Sequence, residues 1–300
     1  MRRSHLILLI LFNVFWAAIM SVNKELEHHL SYSSIVSWRF GLAALGCILL
    51  WPWLPGPTPQ GGAWVRSVVM GLVVFVVGQR LQVHGNLLGT AGNSSVLMGF
   101  EPILTSLAAA LFLKERIPLA RWIGFCFCLV GLVFLNRVWS PGFHWTGLWP
   151  SFVFLSSFLC ESVYSILGKP LSRSTSPYKV VAISLIAGTL FNFALDGGTS
   201  IQEARGLPWQ GWMWMLYLSL LCTLVGYTLW LLVLVESDVN LAALTVFVQP
   251  VAGVLIAWAW LGETLHWGQL WGTLAVGCGL LVGMMSPGTK AQVSCAERAD

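Results

Sequence analysis

Long apolar stretches separated by short polar segments follow one another along almost the whole chain. An α-helix needs roughly 20 predominantly apolar residues to cross the hydrocarbon core of a bilayer. Ten segments of about this length can be placed, at residues 5–22, 34–54, 66–86, 91–113, 119–136, 148–168, 178–195, 211–235, 239–260 and 267–285. The pattern therefore predicts an all-α integral membrane protein with ten transmembrane helices.

The second five segments repeat landmarks of the first five at a constant offset of 148 residues (226 − 78), without a gap. The matched residues are Gly78 with Gly226, Pro102 with Pro250, Glu115 with Glu263, Gly124 with Gly272 and Gly131 with Gly279. Because each half has an odd number of spans, the second half enters the membrane in the opposite direction. We therefore expect two inverted five-helix repeats, residues 1–137 and 148–285, around a central cavity, as in many carriers that work by alternating access.

The composition supports a membrane location and excludes a nucleic-acid-binding protein. Hydrophobic residues make up 57% of the chain and charged residues 9%, about a third of the roughly 25% typical of a soluble domain. The basic residues fall singly in loops and form no basic stripe. Most of the 16 Lys and Arg lie on the side of the two termini, which predicts that both termini are cytoplasmic. The polar tail, residues 286–300, is predicted to be disordered.

The repeated landmarks also carry a family resemblance. The first half has Pro102, then Leu113-Lys114-Glu115, Gly124 and Gly131, and the second half has Pro250, then Leu261-Gly262-Glu263, Gly272 and Gly279. This pattern, with Trp38-Arg39-Phe40 at the start of the second span, resembles the ten-span EamA-type members of the drug/metabolite transporter (DMT) superfamily. The resemblance covers almost the whole chain and implies a carrier of the bacterial inner membrane, commonly one that exports amino acids or related metabolites.

Four polar residues fall near the middle of their predicted spans, where an ionisable side chain costs about 2.5 kcal/mol or more to insert. They are Asn13, Glu101, Glu161 and Gln249. Glu101 and Gln249 are equivalent under the repeat offset (249 − 101 = 148), as expected if the repeats surround one substrate site. Pro102 and Pro250 directly follow them, and each removes a backbone donor, which predicts free carbonyls or a hinge at these positions.

Gln79, Arg80, Tyr227 and Trp230 are further candidates for the lining of the cavity, although packing between helices explains each of them as well. Arg80 and Glu101 lie on adjoining predicted spans, so their side chains could form a buried ion pair. Alternatively, Arg80 could bind a substrate carboxylate with its fork of donors while Glu101 meets an ammonium group.

Glu161 has no basic residue within a helical turn of it along the sequence. A buried carboxyl without a nearby cation favours its protonated form, a property that a proton-coupled carrier needs. We therefore interpret Glu161 as a candidate for proton coupling. The alternative is a protonated glutamate that serves only as a structural hydrogen-bond partner.

These features predict a secondary-active transporter that exports a small polar metabolite, most simply an amino acid, by alternating access. Export of cationic or aromatic drugs is an alternative. An intramembrane enzyme is disfavoured because the chain has no catalytic or metal-binding motif, and direct use of ATP is disfavoured because no phosphate-binding loop occurs. The expected partners are a small-molecule substrate and membrane lipid, with no cofactor, no metal and no nucleic acid. Monomer and homodimer both remain open.

Overall fold

The computed structural model describes residues 3–89, 91–145, 147–261 and 266–285, and within these ranges the regular structure is helical. The α-helices are α1 Arg3–Trp16, α2 Ile19–Leu26, α3 Tyr32–Leu50, α4 Gly62–Met70, α5 Gln79–Leu88, α6 Ala91–Met98, α7 Glu101–Phe112, α8 Leu119–Leu135, α9 Leu148–Ser174, α10 Pro177–Ala204, α11 Trp209–Leu216, α12 Gly226–Glu236, α13 Val239–Leu244, α14 Val248–Leu261 and α15 Trp267–Met284. Glu263 and the predicted tail, residues 286–300, lie outside the described residues.

Ten apolar helical stretches of the described chain agree with the ten predicted spans. Nine of them are long and apolar enough to cross a bilayer, and the tenth is the shorter helix α8. Several spans consist of consecutive helical segments, such as the stretch Gly62–Leu88, which combines α4, a π-helical segment and α5. The prediction of an all-α, multi-pass membrane protein is therefore confirmed.

The chain forms two compact units, and each unit takes segments from both repeats. The terminal unit consists of Met1–Ala17, Gly92–Thr146 and Glu236–Asp300, and the central unit consists of Ala18–Ala91 and Gly147–Val235. The compact units therefore do not coincide with the two predicted repeats, because helices from one half of the sequence pack with helices from the other half inside each unit.

In the terminal unit, glycines allow α8 and α15 to pack backbone against backbone. A Cβ atom built on Gly124 would lie 2.6 Å from the carbonyl oxygen of Gly279, and one built on Gly131 would lie 2.8 Å from that of Gly272. Gly272 and Gly279 are the repeat equivalents of Gly124 and Gly131. Gly124 thus faces the equivalent of Gly131, and Gly131 faces the equivalent of Gly124. A two-fold relation between the repeats produces this reciprocal pattern.

In the central unit, α3 packs against α10, and α5 packs against α9. Two π-helical segments, Gly71–Gly78 and Tyr217–Val225, occupy nearly equivalent positions of the two repeats. Each π segment is followed directly by a short α-helix, α5 or α12. Stretches of π-helix inside an α-helix frequently occur at functional sites.

Both spans that carry a repeated proline are interrupted just before it. Pro102 lies in the first turn of α7, and the turn at Gly99 and Phe100 separates α7 from α6. The 3-10 turn Thr245–Phe247 separates α13 from α14, and Pro250 is the third residue of α14. A break in the helix thus lies next to Pro102 and next to Pro250, which suits a hinge at these positions. The hinge itself stays a prediction.

Candidate functional site

A buried arginine, Arg39 of the Trp38-Arg39-Phe40 motif, lies inside the central unit. Helix α3 begins at the N-cap residue Ser31, whose side chain accepts a hydrogen bond from the Ser34 N–H. Two turns further on, Arg39 is only 2% exposed. Its Nε donates to Thr223 Oγ1 at 2.8 Å, and its Nη1 donates to Gln79 Oε1 at 3.1 Å.

Gln79 connects this arginine to Glu161. The amide nitrogen of Gln79 donates to the Glu161 carboxylate and, at 3.2 Å, to the hydroxyl oxygen of Tyr227. The Tyr227 hydroxyl in turn donates to the two carboxylate oxygens of Glu161 at 3.1 and 3.4 Å. Three of the predicted site residues, Gln79, Glu161 and Tyr227, are therefore in direct contact.

The bonds of this cluster have a defined direction. Because the Gln79 carbonyl accepts from the guanidinium of Arg39, its NH₂ group must face the carboxylate. Because Tyr227 accepts from that NH₂, the hydroxyl hydrogen is left for Glu161. Gln79 and Tyr227 thus both present donors to Glu161, an arrangement that suits an ionised carboxylate, which only accepts hydrogen bonds.

Glu161 has no basic residue within a helical turn along α9, but a cation carried by another helix is connected to it. The Arg39 guanidinium donates to the carbonyl of Gln79, and the amide nitrogen of Gln79 donates to the Glu161 carboxylate. Spacing along α9 could not show this, because the cation is carried by α3 and reaches Glu161 by tertiary packing. We name Arg39, Gln79, Glu161 and Tyr227 the charge cluster.

Aromatic rings cover one side of the charge cluster. The Tyr227 ring lies 4.9 Å from the Phe75 ring and 4.9 Å from the Tyr164 ring, measured between centroids. The Tyr164 hydroxyl donates to the Tyr227 backbone carbonyl at 3.0 Å. Trp230, a predicted lining residue, is buried, and its indole N–H donates to the Ser165 hydroxyl at 3.0 Å. The Tyr227 ring of the cluster is thus flanked by Phe75 and by Tyr164, and a hydrogen bond holds Tyr164 in place.

Arg80, the residue after Gln79, belongs to a second polar group. Its Nη2 forms a salt bridge of 2.6 Å with Asp196, and its Nε donates to Asn192 at 2.8 Å. Ser37 also donates to Asp196 at 2.7 Å. The predicted ion pair between Arg80 and Glu101 is therefore corrected: the carboxylate that binds Arg80 is that of Asp196, at a kink in α10 where the backbone leaves helical geometry.

The remaining predicted residues belong to the terminal unit. Gln249 donates to Asn13 at 2.8 Å, and Asn13 donates to Thr245 at 3.0 Å, so Asn13 and Gln249 form a buried pair. Glu101 is the first residue of α7, where a carboxylate is favourable beside the exposed N–H groups of the helix start.

The offset of 148 residues also relates site residues to one another that were not paired above. Glu161 is equivalent to Asn13 (161 − 13 = 148), and Tyr227 is equivalent to Gln79 (227 − 79 = 148). Both relations could have been found in the sequence by aligning the halves position by position. Asp196 had a signal too, as an acidic residue in a long apolar segment, but its partner could not be deduced.

The chain is similar to a known family of transporters. The model of the EamA-like transporter family matches residues 3–137 and 148–285. The uncharacterized transporter YyaM of Bacillus subtilis (strain 168) is 24% identical over 288 residues, which cover 92% of each chain. The probable terminal-alkyne amino-acid exporter of Streptantibioticus cattleyicolor is 25% identical over 173 residues, 58% of this chain and 57% of that protein.

A solved structure titled only "Crystal structure of protein" has a TM-score of 0.72 and 17% sequence identity, and the match covers 95% of this chain and 98% of that one. At this identity the likeness supports the fold alone. The family match extends over both halves of the sequence, including the repeated Pro and Gly landmarks. The chain therefore belongs to the EamA-like transporter family, within the drug/metabolite transporter superfamily.

Proposed function

We propose that this transporter exports a small zwitterionic metabolite, most simply an amino acid, in exchange for protons bound at Glu161. The observation that carries the proposal is the charge cluster, in which a partly buried carboxylate and a buried guanidinium are joined through one glutamine amide inside membrane spans. The proposed location is the bacterial inner membrane, with both termini in the cytoplasm.

The energetic cost of the cluster supports a functional role. An ionisable side chain near the centre of a spanning helix costs about 2.5–3.5 kcal/mol on insertion scales. Gln79 and Tyr227 offset part of this cost with hydrogen bonds, but two apolar side chains would avoid it altogether. Charges kept at such positions are expected to take part in transport, where a change of charge can drive a change of state.

The direction of the hydrogen bonds suggests how a proton would act. Protonation turns one oxygen of Glu161 from an acceptor into a donor, while Gln79 and Tyr227 both present donors to this carboxyl. Both donors can meet Oε1, which leaves Oε2 for the proton. An ionised Glu161 can hold the ammonium group of a zwitterionic substrate while Arg39 attracts its carboxylate, whereas a protonated Glu161 lacks the charge to hold it as strongly. The proton and the substrate therefore compete at Glu161, as an exchange requires.

The similarity to the probable terminal-alkyne amino-acid exporter of Streptantibioticus cattleyicolor supports an amino acid as the substrate class. The aromatic boundary formed by Phe75, Tyr164 and Tyr227 favours a second candidate, export of cationic aromatic compounds, because cations bind to ring faces. An amino acid and its methyl ester separate these candidates, since the ester keeps the ammonium group and lacks the carboxylate. We expect transport of the amino acid and not of the ester.

The test of coupling uses purified protein in liposomes with an imposed pH gradient. We expect Glu161→Gln to retain exchange of labelled amino acid without a gradient and to lose the stimulation by the gradient, because the amide cannot ionise. Glu25→Gln is the control, since Glu25 is exposed at the end of α2. Unchanged stimulation in Glu161→Gln would contradict the role of Glu161.

A further inference from the structure

A cavity of about 480 Å³ opens at one end of the central unit, where α3 begins and α2, α5 and α10 end. This volume lies in the range of pockets that hold small molecules. The predicted topology places these helix ends on the outer side of the membrane. The cavity is formed by other residues than the charge cluster.

The lining of the cavity combines carboxylates with rings. Glu203 accepts hydrogen bonds from the backbone N–H and the hydroxyl of Ser31, at 2.8 and 2.9 Å, which fix its carboxylate at the start of α3. The Tyr32 ring lies 4.5 Å from the His84 ring, tilted by 40°. Glu27 supplies a second carboxylate.

The charge of the lining favours a cation. Neither a lysine nor an arginine is among the described residues that line the cavity. The nearby Lys24 amine donates to the backbone carbonyls of Leu87 and Gly89, at 3.2 and 3.3 Å, and its ammonium is 3.8 Å from Glu27. Glu203, by contrast, is held by the neutral groups of Ser31, so its negative charge can act on a ligand.

We infer that this cavity is a second ligand site, which binds the ammonium group of a primary amine between Glu203 and the Tyr32–His84 ring pair. An ammonium gains from both a carboxylate and the face of an aromatic ring. The partly exposed Leu87 and Leu88 also line the cavity and offer an apolar surface to a side chain. This inference rests on the proposed function. If that function holds, the cavity is the last site that binds an exported amino acid before its release.

The test measures binding of phenylalanine methyl ester, a cation without a carboxylate, to purified protein by calorimetry. The host is the Glu161→Gln variant, so that binding at the charge cluster does not contribute through that carboxylate. We expect Glu203→Gln to weaken the affinity about tenfold, because the amide keeps an oxygen for Ser31 and loses the charge. Tyr32→Leu should weaken it too, whereas Tyr32→Phe should bind like the host. The affinity for N-acetylphenylalanine, an anion without the ammonium, should be the same in the host and in Glu203→Gln.

The melting temperature of each variant shows whether it is folded. Equal affinity for the ester in the host, in Glu203→Gln and in Tyr32→Leu would overturn the inference and leave the role of Glu161 untouched. Conversely, if the wild-type protein fails to transport any amino acid while ester binding still depends on Glu203, the proposed substrate is wrong and the cavity stands as an amine site.

Discussion

Each unit of the molecule contains a contact between equivalent positions of the two repeats, and the two contacts differ in character. In the terminal unit, the Cys128 thiol approaches the backbone carbonyl of Val276 at 3.8 Å, among glycines that the two halves share. In the central unit, the equivalent positions are Gln79 and Tyr227, which touch through a hydrogen bond of 3.2 Å. The contact in the terminal unit lies between two helix faces that share the same glycines. The contact in the central unit lies between an amide and a phenol.

The difference shows which requirement governs each contact. Helices that meet backbone to backbone need residues without side chains at the contact, and both halves have glycine there. A polar cluster around a carboxylate instead depends on which groups present donors to it, and here the amide of Gln79 and the phenol of Tyr227 do so together. The repeats therefore stay alike where they pack, and they differ where they hold Glu161. Three matched pairs of variants and one double variant test the packing and the polar contacts of the two units.

The largest effect is expected from removing the buried cation of the central unit. Arg39→Met should lower the free energy of unfolding by about 3 kcal/mol, because the Gln79 carbonyl and Thr223 lose their donor and Glu161 loses its nearby positive charge. Thermal unfolding in detergent measures the change. The exposed Arg66 provides the control Arg66→Met, which should change stability little.

The double variant Arg39→Met/Glu161→Met sharpens this test. If the two charges stabilise each other, removing both should cost less than the sum of the single losses. Additive losses would mean that Arg39 acts through packing alone.

A smaller effect is expected in the terminal unit, from one added methyl group. Gly279→Ala should destabilise by about 1–3 kcal/mol, because its Cβ would lie 2.7 Å from the Gly124 carbonyl oxygen, an atom of the backbone that cannot easily give way. Gly277, on the same helix, has open space at its Cβ position. Gly277→Ala should therefore stabilise by about 0.5–1 kcal/mol through helix propensity. Equal effects of the two changes in the same melting experiment would show that α8 and α15 do not pack as described.

The smallest effect concerns polar groups of the central unit that are not bonded. Among the described residues, the buried Asn23 amide has no hydrogen-bond partner, whereas buried Asn192 donates to the Phe75 carbonyl and accepts from Arg80. Asn23→Leu should therefore be neutral or stabilise by up to about 1 kcal/mol, and Asn192→Leu should destabilise by about 1–3 kcal/mol. The same thermal assay compares them, and a marked loss of stability in Asn23→Leu would indicate a bond that forms in another state.

Most of the fold could be predicted from the sequence, because hydrophobic length defines the spans and the repeated prolines and glycines define the two halves. The division into units could not, since it depends on which helices pack together. At the site, polar residues in apolar segments pointed to Gln79, Glu161 and Tyr227 as candidates, and the structure brings these three side chains into contact. The partners of Arg80 and Glu161 were missed, because Asp196 and Arg39 lie more than a hundred residues away from them in sequence.

The π-helical segments before Gln79 and Tyr227 have a consequence for how these spans are interpreted. An α-helix advances 100° per residue, whereas hydrogen bonds that close five residues apart turn the chain by less at each step. A helical wheel drawn from the beginning of either span therefore assigns the residues beyond Gly78 or Val225 to the wrong face. For the same reason, a π segment can lose one residue by winding as an ordinary α-helix and still keep Gln79 or Tyr227 facing Glu161, whereas the same deletion in the α-helical part of the span would rotate them away.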